Sequence, residues 1–256
     1  MATTLFYMWE AHRAQLIASH NFYIRQAEKR LLSQFNNIEE EADEYANEWL
    51  DQAGQNFDSD RHDLADFYEQ ANDEGINFYL MLEEMRNRTR ISVIAGIFHE
   101  WDKQLRSWLV NEVHHWHRGE LAKKAIWKAN FVAIVELLEG LGFEIMSLDC
   151  YRSLDRCRLV VNAYKHGDGG AFESIKLHHP EFIKRLEMDD IENLRYVDHS
   201  DLFVKECHIS EFSDAVIAFW KCVPHAIIYD ESLIMPTWFT RALEKDRKED
   251  PKEEIQ

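Results

Sequence analysis

Helical spacing is clearest in the stretch Ile91-Ser-Val-Ile-Ala-Gly-Ile-Phe-His-Glu-Trp-Asp-Lys-Gln-Leu-Arg-Ser-Trp-Leu109. Its large apolar residues recur at steps of three and four, and they are Ile94, Ile97, Phe98, Trp101, Leu105 and Trp108. Residues with that spacing share one face of an α-helix. The stretch therefore predicts a core helix and a helical fold class, with His99 and Glu100 as a polar pair on the helix.

Composition also favours helices over sheets. The chain of 256 residues contains only 9 glycines and 4 prolines, whereas sandwiches and barrels with many strands use these residues at their turns. With 46% hydrophobic residues, it is long enough to bury the core of one or two domains. We predict a mainly α fold: a helical bundle with a long N-terminal antiparallel helical hairpin.

The predicted hairpin occupies the first third of the chain. Apolar residues at helical spacing run from Trp9 to Trp49 and predict one long amphipathic helix. A break follows it, and a second helix then continues to Met85. We therefore assign residues 1–88 to a long acidic helical hairpin, residues 89–240 to a helical bundle and residues 241–256 to a disordered charged tail.

Most of the negative charge lies in that hairpin. The formal net charge is -18, and 14 acids against one base give residues 36–76 a net charge of -13. Residues 86–128 carry nine bases against four acids. The acidic surface argues against wrapping of DNA. Two interpretations remain: a solvated helix face, or a surface that imitates a phosphate backbone and binds a basic protein partner or the protein's own residues 86–128.

The most informative stretch is Cys157-Arg-Leu-Val-Val-Asn-Ala-Tyr-Lys-His-Gly-Asp-Gly169, at the end of a helix that Gly167 is predicted to terminate. Arg158, Asn162 and His166 are spaced i, i+4 and i+8, so they form a polar ribbon along one helix face. An arginine can hold a phosphate bidentately, and a histidine transfers protons near neutral pH. The ribbon therefore suits a phosphodiester substrate.

This helix, together with the preceding core helix Phe98-His-Glu-Trp-Asp-Lys-Gln-Leu-Arg106, resembles the HEPN superfamily of helical bacterial proteins. The resemblance covers about a third of the chain, roughly residues 89–170. It implies a bundle of four or five helices that dimerises, so that the arginine and histidine of both subunits meet in one cleft. Seven residues separate Arg158 from His166, whereas the family pattern has four to six.

The same resemblance implies a function. HEPN proteins include toxin and phage-defence endoribonucleases, which cleave RNA without a metal or other cofactor. By its matching positions, Arg158 would contact the scissile phosphate, His166 would be the catalytic histidine and Asn162 would be a polar residue of the same site. Lys165 and Glu100 are weaker candidates for substrate binding. We accordingly expect an RNA substrate and a homodimer.

Other interpretations of the same residues stay open. The ribbon is also consistent with a structural polar ladder in which Arg158 pairs with Asp155 or Glu100, within a non-catalytic acidic interaction protein. His114, His115 and His117 suit a lone transition metal, although exposed loop histidines are the commoner case. We expect no metal site. The chain also lacks a secretion signal and a membrane-spanning apolar run, so we expect a cytoplasmic protein without membrane contact.

Overall fold

The computed structural model describes residues 4–55, 57–58, 60–184 and 196–249. Within these residues the protein is mainly α-helical, which confirms the predicted fold class. None of the helices in this part of the chain has both the length and the apolar composition that crossing a bilayer requires. The helices are α1 Glu10–Arg30, α2 Ile38–Gly54, α3 Leu64–Trp116, α4 Glu120–Lys128, α5 Phe131–Gly140, α6 Asp149–His166, α7 Gly170–His178, α8 Glu206–Cys222 and α9 Thr237–Glu249. Strands β1 Thr4–Tyr7 and β2 Ala226–Ile228 form an antiparallel pair.

Helix α3 is a single element of 53 residues, about 80 Å long at 1.5 Å per residue. It runs without interruption through residues 88 and 89, where we placed the boundary between hairpin and bundle. The residues around that position, Arg86-Asn-Arg-Thr-Arg90, include neither glycine nor proline, so nothing local stops the helix. The core helix and the second hairpin helix, predicted separately, are therefore one helix.

The predicted single helix from Trp9 to Trp49 is wrong, because the chain turns between α1 and α2. A 3-10 turn spans Leu32–Phe35, and the two poor helix formers Asn36 and Asn37 follow it. The buried ring of Phe35 holds this turn against the protein. Helix α1 consequently packs on α8 in the body, and it is not part of the hairpin.

The hairpin consists of α2 and the N-terminal half of α3. Tyr45 of α2 stacks on Phe78 of α3, with ring centroids 4.4 Å apart. The two backbones approach closely at Gly75, where an added Cβ would lie 2.9 Å from the Cβ of Ala46. Among the described residues, no ion pair joins the acids of residues 39–74 to the bases of residues 86–128. The acidic surface therefore faces solvent in this structure.

The C-terminal half of α3 lies at the centre of the body. Its Trp101 is 1% exposed and packs against Phe131 of α5 and Phe219 of α8, at 5.8 Å and 5.1 Å between ring centroids. Further along the same helix, the indole Nε1 of Trp116 donates a hydrogen bond to the carbonyl oxygen of Leu5 in β1. Helix α3 thus connects the N-terminal strand, the core and the hairpin.

The predicted disordered tail is wrong for residues 241–249, and residues 250–256 lie outside the described part. Helix α9 docks on α4, with Phe239 and Leu243 buried. The carboxylate of Asp246 accepts hydrogen bonds from the N–H groups of Leu121 and Ala122 and contacts the ring Nε2 of His117 at 3.0 Å. The carboxylate thus satisfies two of the N–H groups that have no partner within α4, and its negative charge is favourable at the start of a helix. Composition alone does not reveal this contact.

Substituting Asp246→Ala should lower the free energy of unfolding by about 3 kcal/mol, because the buried amides and the His117 ring lose their partner. Glu244→Ala, on the exposed side of α9, should change it by less than about 0.5 kcal/mol. Urea denaturation at pH 7 measures both. Equal stability of the two variants would contradict the anchoring role of Asp246.

The same carboxyl gives a pH dependence. Burial tends to raise the pKa of Asp246, but the hydrogen bonds from His117 and from the two amides outweigh it and hold the pKa below its ordinary value. A lowered pKa stabilises the fold above the unfolded-state pKa, about 3.9, and this contribution is lost as the pH falls through the folded-state pKa. The stability difference between wild type and Asp246→Ala should therefore shrink in acid.

Candidate functional site

Helix α6 presents the polar ribbon at the edge of the core. Its buried residues, which include Leu154, Cys157 and Val161, face α3 and α8. The helix ends at Gly167, as predicted, and Gly167 has φ +68° and ψ -141°. L side chains rarely adopt that backbone conformation. The glycine therefore permits the sharp turn that brings α7 beside the end of α6.

Arg158, Asn162 and His166 line one open cleft of about 360 Å³. The opposite wall is the start of α7, from Gly169 to Ser174. We call this space the α6–α7 cleft. The three residues that the sequence singled out thus share one surface, although seven residues separate the arginine from the histidine. Two turns of one helix are enough to place both along the same wall.

Arg158 is held in place while its outer nitrogens stay available. Its Nε donates a hydrogen bond of 2.7 Å to Oδ1 of Asp155, and the guanidinium carbon lies 6.0 Å from the ring centroid of Phe131. The side chain is 21% exposed. Among the described residues, neither Nη1 nor Nη2 has a hydrogen-bond partner. The pairing with Asp155 is also what the structural-ladder alternative expects, so it supports both interpretations.

The start of α7 adds hydrogen-bond donors to the cleft. No side chain caps this helix, because its N-cap residue is Gly169. The N–H groups of Gly170 and Ala171 therefore lack intrahelical partners, and the positive end of the helix dipole favours an anion there. His166 is exposed and Asn162 half-buried at the same wall. The α6–α7 cleft accordingly combines a guanidinium, an imidazole, an amide side chain and backbone donors.

The structure does not bring Lys165 or Glu100 to the cleft. Lys165 is exposed and adjoins His166 in sequence, so the two side chains leave α6 about 100° apart. Glu100 lies on the exposed face of α3, where its carboxylate contacts Lys103 at 3.9 Å. Arg158 does not pair with Glu100. The substrate-binding roles expected for Lys165 and Glu100 thus have no geometric support.

Sequence reasoning missed a second histidine beside the cleft. The N–H of His199 donates to Oδ1 of Asp168 at 2.8 Å, and its ring Nδ1 lies 3.1 Å from Oδ2 of the same carboxylate. The ring is 3.6 Å from where a Cβ would lie on Gly167, which lines the cleft. His199 lies 31 positions after Asp168 in the chain. No periodic pattern relates them, so no local signal indicated the pair.

The histidines around Trp116 do not form a cluster. His117 is buried against Asp246, whereas His114 and His115 are exposed on the last turn of α3. The expectation of exposed loop histidines is therefore wrong for His117, which is buried, and wrong about the loop for His114 and His115, which are helical. In the part of the chain that the structure describes, no group of three or more His, Cys, Asp or Glu side chains is arranged to hold a metal ion.

Comparison of the chain with family models, with curated proteins and with solved structures finds no match. The function must therefore be inferred from residues and geometry. The largest set of groups that suit a phosphate is in the α6–α7 cleft, which is lined by Arg158, Asn162, His166 and the first residues of α7.

Proposed function

We propose that this chain is a metal-independent endoribonuclease of the HEPN type, which acts in the cytoplasm in bacterial toxin or anti-phage defence. One observation carries the proposal: Arg158, Asn162 and His166 line a single open cleft together with the uncapped start of α7. These groups suit a phosphodiester, because the guanidinium and the amides bind phosphate oxygens and imidazole transfers protons.

Each residue has a distinct role in the proposed reaction. The ribose 2′-oxygen attacks phosphorus, the bond to the 5′-oxygen breaks, and a 2′,3′-cyclic phosphate and a 5′-hydroxyl result. Arg158 binds the phosphate through its outer nitrogens, Asn162 orients the phosphate or the 2′-hydroxyl, and His166 removes the 2′-hydroxyl proton. A second imidazole must give a proton to the 5′-oxygen. We assign that role to His199, because Asp168 engages its Nδ1 and leaves Nε2 without a partner among the described residues, beside Gly167 at the edge of the cleft.

The acidic hairpin does not prevent RNA from reaching this cleft. The Tyr164 hydroxyl lies 3.3 Å from the Ser92 hydroxyl, which places the end of α6 beside Ser92 of α3. Glu74, the last acid of the cluster, precedes Ser92 by 18 residues of helix, or about 27 Å. The Debye length at physiological salt is about 8 Å. The repulsion between the hairpin and an RNA phosphate in the cleft is therefore largely screened.

The proposed catalytic residues can be tested with an RNA cleavage assay. His166→Ala should reduce the rate by about 10²- to 10⁴-fold, as expected for loss of a general base. Arg158→Lys should also lose most activity, because an ammonium cannot reproduce bidentate contacts. His99→Ala is the matched control, since His99 is an exposed histidine on α3 and should leave the rate unchanged. If His166→Ala cleaved RNA as fast as His99→Ala, the catalytic assignment would be wrong.

We place a second copy of the chain against α7 in the proposed homodimer. Leu177 is 74% exposed and follows Gly170 and Ser174 at i+7 and i+3, so it continues the helix face that lines the cleft. The expectation of a dimer comes from the HEPN resemblance, and Leu177 is the exposed apolar residue next to the cleft against which we place the second copy. A dimer formed through this face would bring the two clefts close together.

Leu177→Glu should convert the dimer into a monomer and lower RNA cleavage at least about tenfold, because it buries a charge at the interface. Sedimentation velocity and the cleavage assay measure the two effects. Ile234→Glu provides the control, since Ile234 is an equally prominent apolar residue at 83% exposure on a different surface. A wild-type monomer with full activity would rule out the proposed dimer.

A second candidate function concerns the hairpin. Glu69, Asp73, Ile76 and Leu80 fall within about 60° of one another on α3, at least about 100° away from Gly75. Ile76 and Leu80 are each 49% exposed. Two apolar residues beside carboxylates match the face of a basic amphipathic helix. On this alternative the protein is a non-catalytic, regulatory or immunity-type binder of a basic protein partner, and the α6 ribbon is structural.

Neutralising Glu39, Glu40, Glu41, Asp43 and Glu44 together with Glu69 and Asp73 tests the alternative, because it removes carboxylates from both hairpin helices. A synthetic helix of leucine and lysine serves as the probe, and its binding is followed by fluorescence anisotropy at low and physiological salt. The alternative predicts that the neutralised variant loses binding and that wild-type binding weakens steeply with salt. Equal binding by both proteins, or RNA cleavage that depends on His166, would exclude it as the main function.

A further inference from the structure

A second, larger cleft lies between the start of α1 and the C-terminal part of α3. It has a volume of about 690 Å³, within the range of small-molecule sites. We call it the α1–α3 cleft. Its lining includes Tyr7, Trp9, Trp108, Glu112 and three histidines, among them His12. Glu112 follows Ser92 by 20 residues of helix, or about 30 Å, so this cleft is separate from the α6–α7 cleft.

Glu112 provides the α1–α3 cleft with a carboxylate oxygen that is free to accept a hydrogen bond. Its Oε2 accepts a hydrogen bond of 2.7 Å from the N–H of Tyr7, whereas Oε1 has no partner among the described residues. Burial raises the pKa of this carboxyl, although the Tyr7 bond and the nearby rings of His115 and His12 act in the opposite direction. A half-buried carboxylate oxygen without a partner favours a ligand that donates hydrogen bonds.

The aromatic walls indicate the shape of that ligand. Trp9 is 64% exposed, and Tyr7, which makes a T-shaped contact with the ring of His225 at 4.6 Å between centroids, is still 41% exposed. Trp108 is 3% exposed, and its Nε1 donates a hydrogen bond of 3.2 Å to the carbonyl oxygen of Tyr7. The wall is thus fixed by the core while its open rings suit a flat partner, because aromatic side chains stack well on planar heterocycles.

The histidines supply the third part of the ligand's chemistry. His12, His114 and His115 line the same cleft as Glu112, and imidazole N–H groups donate hydrogen bonds to phosphate oxygens. The cleft therefore offers a stacking surface, a hydrogen-bond acceptor and anion-binding donors together. A nucleotide carries the three matching groups in one molecule: a planar base, N–H donors and a phosphate.

We propose that the α1–α3 cleft binds a guanine nucleotide, with the base on the Trp9 and Tyr7 rings, its edge on Glu112 and its phosphate on the histidines. The carboxylate selects guanine because a carboxylate only accepts hydrogen bonds. Guanine presents two adjacent donors on its Watson–Crick edge, N1–H and the N2 amino group. Adenine and cytosine present one donor beside an acceptor nitrogen, which would face a carboxylate lone pair and be repelled.

Isothermal titration of the full chain with GMP, AMP and CMP tests the proposal. GMP should bind at least about tenfold more tightly than AMP and CMP, because only guanine offers two donors, one for the free Oε1 and one for the second lone pair of Oε2. Glu112→Gln retains an oxygen for the Tyr7 N–H, so it should fold normally and lose the preference for GMP. Glu136→Gln, at an exposed glutamate on α5, is the control and should keep the preference.

Two further variants distinguish stacking of the base on Trp9 from fluorescence changes of tryptophans outside the cleft. Trp9→Ala should reduce the quenching of tryptophan emission by GMP, although Trp108 also lines the cleft, and should weaken binding at least about tenfold. Trp127→Ala, which removes another exposed tryptophan, should change neither. Absence of GMP binding, or equal binding of GMP and AMP by wild type, would overturn the proposal, as would an unchanged preference in Glu112→Gln. His166→Ala should bind GMP normally, so failure of the nuclease proposal leaves this test intact.

Discussion

The continuity of α3 is the constraint on which the rest of the structure depends. One half of the helix is buried in the body, and the other half packs mainly on α2. Side chains along it hold distant parts of the chain: Asn87 binds the backbone of Leu202 and Val204 at 2.8 Å and 3.0 Å, and Arg106 binds the carbonyl oxygens of Ile126 and Ala129 at the end of α4. The continuous helix therefore fixes the direction in which the hairpin leaves the body.

This arrangement also places most of the negative charge far from the residues proposed to bind a phosphate. The acids lie on the hairpin, while the groups suited to a phosphate lie where α6 turns into α7. The bases of residues 86–128 do not form one surface, because Arg106 is buried and bonded to Asp102, and Arg86 and Arg88 pair with nearby glutamates. A strongly negative chain can thus offer a local anion site, because most of its net negative charge lies on the hairpin and not at the clefts.

The predictable parts of the fold are those with local causes. Apolar periodicity indicates the mainly helical class, and Gly167 indicates the end of α6. Both signals can be recognised within a short stretch of sequence. The turn after α1 depends on the burial of Phe35, and α9 depends on the contact between Asp246 and His117, which lie 129 residues apart. In the same way, the i, i+4, i+8 ribbon was visible in the sequence, whereas the Asp168–His199 pair required the folded chain.

Analysis of the RNA ends produced in the presence of EDTA tests the central claim most directly, because it reports the chemistry of the α6–α7 cleft. Our account predicts cleavage that persists in EDTA and leaves 2′,3′-cyclic phosphate and 5′-hydroxyl ends, since the ribose hydroxyl is the nucleophile and imidazoles transfer both protons. Absence of cleavage, or cleavage that requires a divalent metal and leaves 5′-phosphate ends, would contradict it.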